Sequence, residues 1–299
     1  MNLIQCALSI LGGLPPPGSQ RLGRLLGDLW FYTDHRHRGI AVGNLQRAFP
    51  NELNAADRMR LAREVFRNLA LMPFELGWSL RRTQAENLSR IKVLGREHLE
   101  EAQGRRKGVL ILTAHTGNWE MLTAAAAGFR LTVNVVYRPL DSLTLERLVG
   151  GLRSRFGARL IPRAGSLRAM IRALRRREAV ALLMDQNVGW RKGVFAPFFG
   201  SRACTHKVMA VLALKTGAPV VPLFMRRENG RFMAEFQAAL PTRSTGDRTA
   251  DVDWNTHRYN QVIEAFVRRY PDQWLWLHRR WKTRPYCPWP KRGRWARQG

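Results

Sequence analysis

From Ile91 onward, short apolar runs rich in β-branched residues alternate with longer stretches of helical spacing, and this alternation constrains the fold more than any other feature of the sequence. Such alternation is typical of βαβ units, which place their strands in a parallel sheet covered by helices. The predicted strands are 109–114, 132–137, 179–184 and 219–224, and the predicted helices are 143–156, 166–177, 205–215 and 252–269. The sequence therefore predicts an α/β fold with a mostly parallel sheet.

The first 90 residues lack strand-like runs and have helical spacing instead. Asn54 is placed to cap a helix over 54–80, and Asp57 to complete a capping pair. The apolar face of this helix is predicted to comprise Met59, Ala62, Phe66, Leu69 and Ala70. We expect a helical region over 1–90 and an α/β domain over 91–299, packed as one continuous unit because no flexible linker separates them.

Glycine positions refine the expected topology. Asn229-Gly230 stands between two strand-like runs and is a strong hairpin signal, because both residues tolerate the left-handed backbone of a tight turn. A hairpin joins antiparallel strands, so the sheet is expected to be mixed at one edge. Gly157 and Gly217 stand where glycines end helices.

The N-terminus is apolar but interrupted. Residues 1–14 run into three prolines, which makes the stretch too short to span a bilayer, since a spanning helix needs about 20 apolar residues. Apolar residues then continue at helical spacing beside Arg21 and Arg24: Leu22, Leu25, Leu26, Leu29 and Trp30. Two interpretations stay open: a helix lying in a membrane interface, or a helix packed on the domain.

The charge balance is strongly basic. The 299 residues include 50 Lys and Arg, 43 of them Arg, against 22 Asp and Glu, which gives a net charge of +28. Arginine makes planar two-point contacts with phosphates and carboxylates, so an anionic partner is expected. A nucleic acid, an acidic membrane and an acidic protein would all be attracted by this field, and any single arginine is as well explained as a solvated side chain on a helix face.

Several common chemistries lack their sequence signs. The cysteines Cys6, Cys204 and Cys287 are too scattered for a disulfide framework or a zinc site, which favours a reducing compartment. No basic segment precedes the apolar start as in a signal peptide. There is also no Gly-x-Ser-x-Gly elbow, no phosphate-binding loop and no dinucleotide-binding glycine motif.

The most informative segment is 109–120, in which a buried-type strand ends just before His115 and Glu120 follows five residues later. Gly117 and Asn118 supply a turn through which Glu120 can fold back and accept the Nδ1–H of His115, leaving Nε2 as a general base. Open α/β sheets bind ligands at the carboxyl ends of their strands. The alternative is that His115 is a core histidine and Glu120 a solvated residue in the first turn of a helix. A metal site is disfavoured because no clustered set of metal ligands accompanies the two residues.

The segment His-Thr-Gly-Asn-Trp-Glu resembles the His-x4-Asp/Glu motif of membrane glycerolipid and lipid A acyltransferases. Further segments resemble the bacterial lipid A biosynthesis (late) acyltransferase family, in the same order along the chain, over about residues 40–285. They are Asn-Leu-Gln-Arg-Ala-Phe-Pro at 44–50, Tyr-Arg-Pro at 137–139, Asp-Gln-Asn at 185–187, Gly-Val-Phe-Ala-Pro-Phe-Phe-Gly at 193–200, and the tryptophan-rich stretch 274–285.

The resemblance implies a glycerol-3-phosphate-acyltransferase-like fold, with a mostly parallel mixed sheet flanked by helices. It implies an enzyme of lipopolysaccharide biosynthesis that moves a fatty acyl chain from acyl carrier protein to a hydroxyl of a lipid A precursor, with no cofactor beyond that co-substrate. Both substrates are anionic, which suits a basic protein. Peripheral or monotopic attachment to the cytoplasmic face of the inner membrane is expected, since the N-terminus lacks the spanning helix of many relatives.

The resemblance also assigns site residues. His115 is expected to be the base and Glu120 its partner, while Arg153 and Asp185 fall at positions that the family uses. Arg138 and Arg153 are expected to hold phosphate or stabilise the thioester oxyanion, although ordinary ion pairing with Asp141 or Glu146 would also explain them. The expected substrate-binding set is Arg138, Arg153, Asp185, Asn118 and Gln186.

Two alternatives remain at this point. The same chemistry would serve a lysophospholipid or another glycolipid as acceptor. A non-catalytic protein that binds nucleic acid or an anionic membrane through its basic surface is also compatible with the composition. Nucleic acid is not the expected partner, because the chain carries no zinc finger, basic zipper or aromatic RNA-binding signature.

Overall fold

The computed structural model describes residues 3–128, 131–137, 142–162 and 165–285. Its helices are α1 (Leu3–Gly13), α2 (Pro16–Thr33), α3 (His35–Ala48), α4 (Ala55–Ala70), α5 (Met72–Leu80), α6 (Gln84–Ser89), α7 (Arg96–Gly104), α8 (Leu122–Ala127), α9 (Leu143–Arg155), α10 (Ser166–Arg175), α11 (Val208–Thr216) and α12 (Arg248–Arg269). Its strands are β1 (Ile91–Leu94), β2 (Val109–Thr113), β3 (Val133–Tyr137), β4 (Arg159–Pro162), β5 (Ala179–Leu183), β6 (Gly193–Phe198), β7 (Ser201–His206), β8 (Val220–Glu228) and β9 (Arg231–Phe236). Short 3₁₀ helices occupy Trp119–Met121 and Pro271–Gln273.

Within the described residues, the main sheet has seven strands in the order β1-β9-β8-β2-β5-β3-β4. The strands from β8 to β4 are parallel to one another, whereas β9 runs antiparallel to β8 and parallel to β1. Helices flank this sheet, as apolar parallel strands require. The predicted α/β fold with a mostly parallel, mixed sheet and an N-terminal helical region is confirmed.

The predicted hairpin joins β8 and β9. Asn229 and Gly230 have φ angles of 49° and 74°, so both adopt the left-handed backbone of a tight two-residue turn, and Glu228 pairs with Arg231 across it. The mixed part of the sheet is wider than expected, because β1 extends it beyond β9.

Several local predictions need correction. The single helix predicted over 54–80 divides at Leu71, since Pro73 in the first turn of α5 lacks the N–H that would continue α4. Thr205, the predicted first residue of the helix over 205–215, lies in β7. This strand pairs with β6 in a separate two-stranded antiparallel ribbon. Met59, expected on the apolar face, is 40% exposed.

The core joins the two predicted regions of the chain. One hydrophobic cluster contains Phe31, Leu45 and Phe66 from the N-terminal helices together with Phe224 and Trp276 from the α/β part. Side chains from both regions therefore form one hydrophobic core. The boundary at residue 90 stays a prediction.

The N-terminal helix packs closely against α5. A Cβ atom on Gly77 would lie 2.1 Å from the backbone oxygen of Leu8, and one on Gly12 would lie 2.1 Å from the backbone of Gly77. Glycine at both positions allows the two backbones to approach. No helix among the described residues is both long enough and apolar enough to cross a bilayer.

Candidate active site

Strand register brings His115 and Asp185 together. Strands β2 and β5 are parallel neighbours in which Thr113 pairs with Leu183, and His115 and Asp185 each lie two residues beyond that pair. Both side chains therefore meet at the carboxyl edge of the sheet, where open α/β sheets bind ligands. The His115 side chain is 14% exposed and that of Asp185 is fully buried.

The Asp185 carboxylate is held by N–H donors. Its Oδ1 lies 2.8 Å from His115 Nδ1, and its Oδ2 accepts the backbone N–H of His115 at 3.0 Å and the indole N–H of Trp274 at 2.7 Å. Burial alone would raise the pKa of Asp185, but the nearby His115 and His278 and the hydrogen bonds from His115 hold it well below its ordinary value. An ionised Asp185 requires the Nδ1 proton on His115, so Nε2 carries the lone pair of a base.

The predicted hydrogen bond from His115 to Glu120 is wrong. Glu120 lies in the 3₁₀ helix after the turn and forms a two-point ion pair with Arg153 of α9, at 2.8 and 2.7 Å. Trp119 stands beside both groups: its ring contacts that of His115 edge-on at 5.0 Å, and its Nε1 donates to Glu120 at 3.1 Å. Asp185 occupies the Nδ1 side because it comes from the strand next to β2, a neighbour that sequence spacing does not reveal.

The Glu120–Arg153 pair borders an apolar pocket. This pocket has about 680 Å³ of empty space, part of it open to solvent. Its walls come from the sheet and from the helices that cover it: Leu99, Ile111, Thr113, Trp119, Leu122, Thr123, Leu131, Val133, Val135, Ala181, Leu183, Leu223 and Phe236. Glu120 and Arg153 are the charged side chains among the described residues that line it. An ion pair at the wall of an apolar cavity suits a ligand with a polar end and a hydrocarbon end.

The remaining predicted site residues have different surroundings. Gln186 is exposed, with its Nε2 atom 3.4 Å from His115 Nε2. Asn118 is 1% exposed and donates its amide N–H to Glu75 at 2.8 Å, which braces the turn after His115. Arg138 lies outside the described residues. A substrate contact by Gln186, Asn118 or Arg138 stays a prediction.

Sequence reasoning missed the contribution of the C-terminal segment. Leu275 donates its N–H to the His115 carbonyl at 3.0 Å, and Gly117 donates to the Gln273 carbonyl at 2.8 Å, so this segment pairs with the turn that begins at His115. The signal was present in the sequence, since Trp274 belongs to one of the segments that resemble the family. Its indole N–H, as a buried donor, requires an acceptor.

Arg280 was also missed. It is fully buried and donates to the carbonyl oxygens of Gln186 and Cys204 at 3.2 and 3.1 Å, and to the hydroxyl of Thr205 at 2.6 Å. Burial lowers the pKa of Arg280 to about 10, which leaves it cationic at neutral pH. The charge of Arg280 offsets that of buried Asp185. Its hydrogen bond to the Gln186 carbonyl holds the backbone that follows Asp185.

Comparison with known proteins identifies the family of this chain. The sequence profile of the bacterial lipid A biosynthesis acyltransferases matches residues 2–283. The chain is 31% identical over 278 residues to an Escherichia coli K12 lipid A biosynthesis lauroyltransferase, covering 91% of this chain and 88% of that protein. It is 29% identical over 273 residues to the palmitoleoyltransferase of the same strain, covering 91% and 87%. It is 25% identical over 266 residues to the myristoyltransferase, covering 88% and 80%. The chain therefore belongs to the bacterial lipid A biosynthesis acyltransferase family.

Proposed function

We propose that this acyltransferase moves a fatty acyl chain from acyl carrier protein to a hydroxyl of a lipid A precursor, with His115 as general base. The observation that carries the proposal is the buried His115–Asp185 pair at the edge of the sheet, with an apolar pocket alongside it. Asp185 holds the imidazole with its basic nitrogen away from the carboxylate, as a base that receives a hydroxyl proton needs.

The reaction is direct in this proposal. His115 Nε2 takes the proton of the acceptor hydroxyl while the hydroxyl oxygen bonds to the thioester carbonyl carbon. The resulting tetrahedral oxyanion collapses, the carbon–sulfur bond breaks, and the departing thiolate receives the proton from the imidazolium. An ester and a free thiol result, with no covalent enzyme intermediate and no cofactor.

Arg153 is proposed to stabilise the oxyanion, and Glu120 to hold Arg153 in place. The two-point contact between them fixes the guanidinium plane at the pocket wall. A fixed positive charge in a partly water-excluded site favours the charge that develops on the carbonyl oxygen. The apolar pocket beside Arg153 is the proposed site of the acyl chain, because its walls are hydrocarbon and its charged residues lie together.

We further propose peripheral attachment to the cytoplasmic face of the inner membrane, and the second helix supports contact with a membrane surface. Its small residues Gly23 and Gly27 face α4 and α5, where added Cβ atoms would touch Leu71 and Arg67. Its large apolar residues face outward: Leu22, Leu25, Leu26 and Leu29 are 37%, 65%, 43% and 59% exposed. Arg21 and Arg24 flank this outward face, and a surface of leucine and arginine suits an anionic lipid interface.

Replacing both Leu25 and Leu29 with serine is expected to weaken binding to phosphatidylglycerol-containing vesicles at least tenfold, because each leucine contributes about 1.5–3 kcal/mol when buried in hydrocarbon. Vesicle sedimentation at increasing lipid concentration measures the effect. The matched control replaces Leu167 of α10 and Trp254 of α12 with serine, since these side chains are 42% and 38% exposed on other helices. Equal losses in the two variants would contradict attachment through α2.

The proposed reaction is tested by mass spectrometry of a bacterial lipid extract incubated with the protein and with acyl carrier protein charged with acyl chains of mixed length. The expected result is one added acyl group on a tetra- or penta-acylated lipid A precursor. An acyl group added to a phospholipid or another glycolipid would replace the acceptor. The absence of acyl gain on every lipid, in a preparation where a known relative is active, would contradict the proposed function.

A further inference from the structure

Trp274 belongs to the C-terminal segment and contacts the His115–Asp185 pair through Asp185. It is fully buried, and its ring packs at 4.5 Å from that of Trp276 and 5.0 Å from that of His278. Its indole Nε1–H donates to Asp185 Oδ2 at 2.7 Å, on the carboxylate oxygen opposite the one that faces His115 Nδ1. A hydrogen bond from a neutral N–H to an ionised carboxylate is short and strong, as this distance shows.

The backbone that carries Trp274 is fixed from two sides. An isolated antiparallel bridge pairs Trp274 with Thr116, next to His115. From the other side, Asn44 of α3 donates its amide hydrogens to the carbonyl oxygens of Trp276 and His278 at 2.8 and 2.7 Å. An anchored loop delivers its side chain at one distance and angle, which is what a precise donor to the carboxylate needs.

We propose that Trp274 is a positioning residue of the acyl transfer, which acts through Asp185 to set the orientation and basicity of His115. The inference rests on the proposed function of His115. The indole N–H stabilises negative charge on Asp185 and turns the carboxylate so that its other oxygen meets Nδ1. Without this donor, the negative charge on Asp185 is less stabilised and attracts the His115 imidazolium more strongly. The His115 imidazole therefore stays protonated to higher pH.

Other charged or titratable groups lie near the His115–Asp185 pair. His278 lies against the Asp185 carbonyl, and Arg280 donates to the carbonyl of Gln186. On the other side, Trp119 contacts the His115 ring edge-on and donates its indole N–H to Glu120, which pairs with Arg153. A test of Trp274 therefore uses variants that each lose one indole N–H group and keep all of these neighbouring residues.

The test compares Trp274→Phe with Trp276→Phe. Both substitutions remove one indole N–H from the same loop, but the N–H of Trp276 donates to the Pro271 carbonyl, whereas that of Trp274 donates to Asp185. For Trp274→Phe we expect kcat at pH 7 to fall about tenfold, the usual effect of one hydrogen bond to a charged group, with little change in KM for the acyl donor. The acid limb of its pH–rate profile is expected to move to higher pH by about one unit, and that of Trp276→Phe to stay in place.

A second replacement tests the donor itself. Benzothienylalanine at position 274 keeps the bicyclic shape of tryptophan but has sulfur in place of the N–H, so packing and folding are preserved. It is expected to reproduce the kinetic change of Trp274→Phe. Wild-type kinetics with benzothienylalanine, or an equal pH shift in Trp276→Phe, would overturn the proposal.

An imidazole titration followed by NMR separates this inference from the proposed function. With ¹⁵N-labelled histidine, and His115→Gln to identify the signal, the midpoint of the His115 titration is expected to rise by about one pH unit in Trp274→Phe. This measurement needs no acyl transfer. If the midpoint shifts but the protein has no acyltransferase activity, the effect of Trp274 on His115 is supported while the proposed reaction fails. An unmoved midpoint would overturn the role of Trp274.

Discussion

Replacing His115 with alanine is expected to slow acyl transfer by about 10²–10⁴-fold, because the acceptor hydroxyl loses the base that removes its proton. The fold is expected to persist, since the backbone N–H of residue 115 and the Trp274 indole still donate to the buried Asp185 carboxylate. Steady-state assay of the variant with acylated acyl carrier protein, the proposed donor, measures the rate, and circular dichroism checks the fold.

The matched control for this variant is His257→Ala. His257 is a partly exposed residue of α12 and does not belong to the His115–Asp185 site, so its replacement is expected to leave the rate near that of the wild type. A well-folded His115→Ala protein that transfers acyl chains at nearly the wild-type rate would refute general-base catalysis by His115.

Replacing Asp185 with asparagine is expected to slow the reaction about 10³–10⁴-fold, although the side chain keeps its shape. The carboxylate faces N–H donors from His115 and Trp274, and an amide can accept on its oxygen but turns its own hydrogens toward one of them. His115 then loses the acceptor for Nδ1–H and favours the tautomer with its proton on Nε2. In that tautomer, Nε2 has no lone pair with which to accept the proton of the acceptor hydroxyl.

Asp251→Asn serves as the control for this second variant. Asp251 is likewise buried and accepts hydrogen bonds from the backbone and hydroxyl of Thr245, but it lies at the start of α12. Its replacement is expected to lower stability and to preserve the rate per folded molecule. If Asp185→Asn retained the wild-type rate and pH profile, Asp185 would not be the partner of the base.

Local features of the fold were predictable where neighbouring residues decide them. Asn54 caps α4 through a 2.9 Å hydrogen bond from the Asp57 backbone, and the Asn229-Gly230 turn adopts the expected left-handed angles. Both depend on intrinsic backbone preferences and on contacts within a few residues. The buried strand before His115 was likewise evident from its continuous apolar run.

The partner of His115 was not predictable from spacing, because it depends on strand order. Strand β5 follows β3 and β4 along the chain, yet it lies between β2 and β3 in the sheet. Sequence separation makes Glu120 the near neighbour of His115, whereas the parallel register makes Asp185 the near neighbour in space. The β6–β7 ribbon was missed for a different reason: it contains Pro197, which is uncommon inside strands.

The contacts of Asn44 have a consequence for synthesis of the chain on the ribosome. Asn44 and the Trp276 carbonyl that it binds are 232 positions apart, so this clamp on the loop that carries Trp274 forms only after residue 276 has emerged from the ribosome. Until then, Asp185 lacks the indole donor that helps to keep its charge buried. A nascent chain therefore completes the proposed site only after residue 276 has emerged, and a chain interrupted before that point has the sheet without the anchored loop.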